Sequence, residues 1–318
     1  MPPRRVIGVD VGGTKLLGGA IDEQLGVRHR VHRRWRGGDV RETIDIIAEA
    51  VEEVRSATPD AEAVGFGIPS LVDHRTGASL FSVHLPLDDV PFRDLLSERL
   101  ELPVFVDNDT NVAVLAEQRY GAARGAEHVV MLTLGTGIGG GLILGGRLYR
   151  GATGSGAELG HIVIDADGPE CQGDCPGRGC LEVMASGNAI GREGLLAAER
   201  EPESGLGRAL AEGRDVRGPL VTELAHAGDP VAVGVLERIG QSLGVGIVSI
   251  VNAFGPEIVV VGGGAVAAGD LLLDPARAVV AERALPPNRE DVRIVPAQFG
   301  SESGMLGAGV LALERGRV

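Results

Sequence analysis

Residues 6–15 read VIGVDVGGTK. A short apolar run with one embedded acid ends in Gly-Gly-Thr-Lys, and a second apolar run, 16–21, follows. The pattern predicts strand, glycine turn, strand: a hairpin. Asp10 stands where the first strand meets the turn. Gly12 and Gly13 admit a close backbone approach, Thr14 offers a hydroxyl, and Lys15 a point charge. Together they can hold a phosphate and its metal ion. This is not a P-loop, whose G-x-x-x-x-G-K-[ST] spacing is absent, and a turn of this composition also closes ordinary hairpins. Its recurrence strengthens the phosphate reading. Residues 129–138 read VVMLTLGTGI, with Thr133 opposite Asp10, and the apolar run 142–144 follows. Two such units in separate halves predict a duplicated α/β chain with a nucleotide clamped in a cleft between two lobes. The lobes are expected over residues 1–118 with 298–318, and over 119–297.

The 318 residues are 44% hydrophobic and 23% charged, enough apolar material for a sizeable core. The formal net charge of -14 disfavours nucleic acid and anionic membranes as general partners. No apolar run looks long enough to span a membrane. The first residues lack the apolar core of a signal peptide. Clustered cysteines at metal spacing suit a reducing cytoplasm. Of 30 basic residues, Lys15 is the only lysine, in a chain otherwise given over to arginine. The run 28–36, RHRVHRRWR, reads as a solvent-facing strand.

Between the two glycine turns, apolar residues at Ile44, Ile47, Ala48, Val51 and Val54 have the spacing of an amphipathic helix. Residues 64–70 and 103–106 read as strands. DNDTN, residues 107–111, follows the second of these and opens a helix. Such residues cap helices. A carboxylate at the C-terminal end of a strand is also where a general base sits in open α/β folds. Further on, residues 188–199, 230–251, 271–283 and 303–313 read as helices. Residues 200–217 read as a polar surface connection. The strand 258–261 runs into a third glycine turn, Gly262–Gly264.

All three cysteines fall in one short stretch, 156–182: GAELGHIVIDADGPECQGDCPGRGCLE. Cys171, Cys175 and Cys180, with His161 just ahead, form a Cys3His set that suits tetrahedral zinc. Such a closed site leaves no open position for substrate, so the zinc is expected to be structural. Its job would be to hold Glu158, His161 and Glu182, which can present two acceptors and an imidazole to a polyhydroxyl ligand.

DVGGTK, DNDTN, LGTGIGGG, GAELGH with a cysteine knuckle, and GGG near the end together resemble the ROK family of repressors and sugar kinases. That family belongs to the actin-like, Hsp70-like and hexokinase ATPases, and the resemblance covers nearly the whole chain. It implies an ATP-dependent kinase for the 6-hydroxyl of glucose, working with Mg2+ and one structural zinc. Residues 10–15 (Asp10, Gly12, Gly13, Thr14, Lys15) and 133–137 (Thr133, Gly135, Thr136, Gly137) would hold the phosphates and Mg2+. Gly262, Gly263 and Gly264 would border the adenosine. Asn108, Glu158, His161 and Glu182 would bind sugar hydroxyls, and Asp109 would be the catalytic base. A homodimer, or a dimer of dimers, is the family expectation. The knuckle departs from the family's C-x-C-x4-C at Cys171. His84 and Ser70 replace the usual Asn and Gly near the sugar. The repressors carry a DNA-binding segment ahead of the first glycine motif, and here that motif begins at residue 10. The alternatives are a kinase for another hexose or an N-acetylhexosamine, a polyphosphate-using glucokinase, a non-catalytic sugar sensor, and an actin-like assembly protein.

Overall fold

The computed structural model describes residues 3–35, 37–82 and 85–318. His84 lies outside them. The chain divides into two compact units. One comprises Met1–Glu127, Gly141–Ala157 and Gln298–Val318; the other comprises His128–Gly140 and Glu158–Ala297.

In the first unit, β1 (Arg5–Val11) and β2 (Lys15–Asp22) form the expected hairpin, with Val11 opposite Leu16. Antiparallel β3 (Val27–Arg34) follows, a strand in which only Val31 is buried. After α1 (Val40–Ala57), β4 (Ala61–Ile68) lies parallel to β1. A small hairpin, β5 (Leu71–Asp73) with β6 (Ala78–Phe81), and helix α2 (Phe92–Leu100) lead to β7 (Val104–Asn108), parallel to β4. Helix α3 (Asp109–Tyr120) starts directly from β7. The sheet order is β3-β2-β1-β4-β7.

The second sheet repeats that plan. It contains β8 (Val129–Leu134), β9 (Ile138–Leu144) and β10 (Arg147–Leu148), and the chain passes from one unit to the other within β9. Helices α4 (Leu181–Ala185), α5 (Gly187–Arg200), α6 (Gly205–Ala211), α7 (Gly218–His226) and α8 (Pro230–Phe254) precede β11 (Ile258–Gly262). Helices α9 (Asp270–Arg283) and α10 (Asn288–Asp291) then precede β12 (Arg293–Pro296). The order is β10-β9-β8-β11-β12, with β11 parallel to both β8 and β12. Each sheet is thus an antiparallel trio followed by two parallel strands, in order 3-2-1-4-5. The sequence duplication of the glycine turns is a duplication of topology.

The last helix, α11 (Ser303–Leu313), returns to the first unit and lies on β1, β4 and α3. Its close seat depends on missing side chains. A Cβ at Gly65 would overlap the Ala308 carbonyl, and one at Gly307 would overlap that of Val112. The opposite face of the sheet is covered by α1 and α2, whose Ile47, Val51, Phe92 and Leu96 pack on Ile7, Val9 and Phe66 in one core.

One buried carboxylate ties α3 to α11. Glu117 has no solvent exposure and accepts from Ala122 N (2.9 Å), Gln298 N (3.1 Å), Phe299 N (2.9 Å) and Ser303 Oγ (3.1 Å). Removing it orphans one buried donor, Ser303 Oγ, and three part-buried backbone donors. Glu117→Ala is expected to lower stability by roughly 2–4 kcal/mol, read from the urea unfolding midpoint. A loss too small to measure would show that water replaces the carboxylate freely.

Two expectations need correction. Residues 200–217 are not merely a surface connection. Ser204 caps α6, whose Leu206 and Ala209 are buried at helical spacing. And α8, at 25 residues, is long and apolar enough by length and composition to cross a membrane. In this structure it is a packing helix. Gly240 and Gly244 bring it against α9, where added side chains would press on Leu272 and Ala276.

Candidate functional site

In the first unit, the C-terminal ends of parallel strands collect the acids. Asp10 on β1 is in register with Gly67 on β4, and Gly67 with Asp107 on β7. A Cβ at Gly67 would stand 3.4 Å from Asp109 Cα and 3.9 Å from Asp10 Oδ1, so the two carboxyl-bearing residues flank a bare glycine. Asn108 caps α3: its Oδ1 accepts from Thr110 N (2.9 Å) and Asn111 N (3.2 Å), while its Nδ2 donates to Ser70 O (3.3 Å). Asp109 is the first residue of α3, and a helix N-terminus favours a carboxylate there. Its Oδ1 accepts from Thr110 N (2.7 Å).

Asp107 fixes this corner from behind. Its Oδ1 accepts from Asn108 N (2.8 Å) and Asn111 Nδ2 (2.8 Å), and its Oδ2 from Arg150 Nε (2.6 Å). Both partners of that ion pair are nearly buried. Composition gave no sign of Arg150, which reaches Asp107 from 43 residues away.

Burial, and secondarily the charge of Asp109, push the Asp10 carboxyl up to about 7. A raised carboxyl stabilises the folded state below its unfolded value near 4, and that contribution is lost as pH rises through about 7. Asp10→Asn is therefore expected to raise the melting temperature more at pH 8 than at pH 4. The ceiling is about 4 kcal/mol, lowered by the solvent that still reaches Asp10. Thermal unfolding at both pH values checks this; equal shifts would contradict it.

The glycine turns stay open. Gly12 N donates to Lys15 O (2.7 Å), and Thr14 and Lys15 are exposed. In the second unit, Gly135 and Thr136 are exposed, and a Cβ on Gly135 would meet nothing within 4 Å. Gly262 pairs with Thr133 across β11 and β8, so the second and third glycine turns adjoin. Gly263 has φ 84° and lies against the Leu134 backbone, a place for glycine alone.

The knuckle converges. The ligand atoms of His161, Cys171, Cys175 and Cys180 all lie within 4.8 Å of one another, with His161 Nδ1 3.8 Å from Cys171 Sγ. Tetrahedral zinc with Zn–S about 2.3 Å and Zn–N about 2.0 Å has edges of about 3.5–3.8 Å. The donor set and its spacing therefore fit zinc, and Cys171 stands with the others despite its shifted spacing. Burial, then hydrogen bonds with Cys180 and Cys175, push the Cys171 thiol up to about 12. Gly177 keeps the centre clear; a Cβ there would stand 3.1 Å from Cys180 Sγ and 3.4 Å from Cys175 Sγ. Glu158 and His161 are exposed at either end of one 3₁₀ turn. Glu182 lies in the first turn of α4, its Oε2 accepting from Ile138 N (2.8 Å).

Residues 6–315 match the ROK family. The chain belongs to that family. A glucokinase of Thermotoga maritima is 38% identical over 99% of both chains, and one of Streptomyces coelicolor 35% identical over 97% of both. A ROK family glucokinase from Streptomyces griseus, solved in complex with glucose and AMPPNP, has a TM-score of 0.87 at 34% identity. The match covers 98% of this chain and 99% of that one. This ROK protein has the actin-like, hexokinase-type ATPase fold, and its two 3-2-1-4-5 sheets are the ribonuclease-H-like duplication of that fold.

Proposed function

We propose that this protein transfers the γ-phosphoryl group of ATP to the 6-hydroxyl of glucose. The observation that carries this reading is full-length kinship with glucokinases, in a chain that keeps Asp109 at the end of β7 with Asp10 across Gly67. Asp109 accepts the proton of the attacking hydroxyl. Asn108, Glu158, His161 and Glu182 hold the sugar hydroxyls. With Nδ1 turned to the sulfurs, His161 keeps Nε2 for a hydroxyl. The turns at residues 10–15 and 133–137, with the Mg2+ of the nucleotide, bear charge on the transferred group. Asp10 belongs to that charge balance, since a divalent cation would offset the desolvation and the Asp109 repulsion that disfavour its charged form. Gly262–Gly264 border the adenosine. Cys171, Cys175, Cys180 and His161 hold a structural zinc, which supplies rigidity and no chemistry. A homodimer in a reducing cytoplasm completes the proposal.

The test is ADP release by purified protein with Mg2+ and ATP, against glucose, mannose, fructose, N-acetylglucosamine and N-acetylmannosamine, with polyphosphate as a second donor. Glucose-dependent release is the expected result. Turnover with another sugar alone would move the specificity to that sugar and point to Ser70 and His84. Folded, zinc-loaded protein that turns over none of them would favour a sugar sensor, as in the repressor branch of the family.

A further inference from the structure

The second phosphate turn, residues 135–138, closes on itself by Gly135 N donating to Gly137 O (2.9 Å). Several of its other polar groups are engaged from outside, among them Gly135 O, which accepts from Gly187 N (2.8 Å). Gln172 Nε2 donates to Thr136 O (3.0 Å), and Asn188 Nδ2 donates to Gln172 Oε1 (3.0 Å), holding that amide in place. Glu182 Oε2 accepts from Ile138 N (2.8 Å). Gly160 lies so close that a Cβ there would overlap the Ile138 carbonyl. A Cβ on Gly137 would overlap the Glu182 carboxylate, so this glycine is needed for the tie as well as for open access.

Three of these ties sit within two residues of a cluster ligand. Gln172 follows Cys171, Glu182 is two beyond Cys180, and Gly160 precedes His161. Helix capping accounts for an acid in the first turn of α4. It does not account for an amide side chain on the opposite limb of the knuckle reaching the same turn. We infer that the Cys/His knuckle is a strap on the second phosphate turn, with Gln172 and Glu182 as positioning residues for the phosphoryl donor. The inference rests on the reading of residues 133–137 as a phosphate turn. It widens the role of the metal cluster, which then sets the donor side of the reaction as well as the sugar side. If Glu182 also binds sugar through Oε1, one carboxylate joins the two substrate sites.

Gln172→Ala and Asn188→Ala test the strap without touching a cluster ligand or a proposed substrate contact. Binding of Mg·ADP by calorimetry is expected to weaken roughly five- to tenfold in each, as for one or two lost hydrogen bonds. Amide exchange at residues 135–138 should speed up, while glucose binding and zinc content match the parent. Unchanged ADP binding and exchange in both variants would overturn the strap. So would loss of zinc together with ADP affinity, since the residues would then act through folding of the cluster. A parent protein without glucose turnover would refute the kinase reading alone, because ADP binding and exchange are read independently of turnover.

Discussion

Asp109→Asn is expected to lower kcat by roughly 10²–10⁴-fold, with the fold and the KM for sugar close to the parent. The change is nearly isosteric. The carboxamide oxygen still accepts from Thr110 N, so the first turn of α3 keeps its geometry. In the proposed mechanism, what disappears is the ability to take a proton from the attacking hydroxyl, while the glycine turns and Mg2+ would still bind the donor, so residual turnover should survive. A second readout separates this from damage. Asp109 is one of two causes that push Asp10 up to about 7, so its loss should move the titration of Asp10 downward. An acid-side shift in the pH dependence of Mg·ADP binding, beside lost turnover and an unchanged circular dichroism spectrum, is the full expected pattern. Turnover within a few-fold of the parent would remove Asp109 from the base role.

How much of this was legible follows from where each contact lies along the chain. The glycine hairpins are local, so VIGVDVGGTK and VVMLTLGTGI announce both themselves and the duplication, and the two sheets do repeat one order. The knuckle is local too: three cysteines within ten residues and a nearby histidine leave little freedom, and their donor atoms converge. Asn108 shows the limit of such reading. Its composition suits a cap and a ligand contact alike, and in the structure its oxygen caps α3 while its amide holds Ser70. Glu117, Arg150 and Gln172 were out of reach for another reason. Each has a partner far away in sequence, Ser303 and residues 298–299 for Glu117, Asp107 for Arg150 and Thr136 for Gln172, and no periodicity marks such a partner. The excursion of residues 141–157 into the first unit has no mark in composition either. Helix α6 was hidden by charged neighbours, because three buried positions in a short helix, one of them a glycine, make a weak pattern.

Stripping the proposed zinc from the knuckle is expected to give the other large effect. Cys180 is almost wholly buried and immediately precedes α4, which carries Glu182; His161 ends the turn that carries Glu158. Without a cation the three sulfurs must share one small space as thiols, and the ligand pairing that joins the limbs of the knuckle is gone. Structural zinc contributes on the order of 10 kcal/mol where it alone folds a small module. Here two isolated bridges, Val163 with Cys180 and Glu170 with Arg178, and the packing of α4 on α8 hold part of the structure independently. The loss should therefore be local. After chelation, amide protection is expected to collapse across residues 158–182 and to fall at 135–138. The strands of both sheets should keep theirs. The KM for sugar should rise at least roughly tenfold, as for the removal of outer contacts that orient ligand-binding groups. Cys180→Ser should reproduce this without a chelator, since a hydroxyl is a poor zinc donor, and re-adding zinc should rescue the chelated parent but not the variant. Metal-free protein with full activity and native exchange would show that packing alone shapes the knuckle. The strap on the phosphate turn would then have to work without an ion, through Gln172 and Glu182 held by α4 and α5.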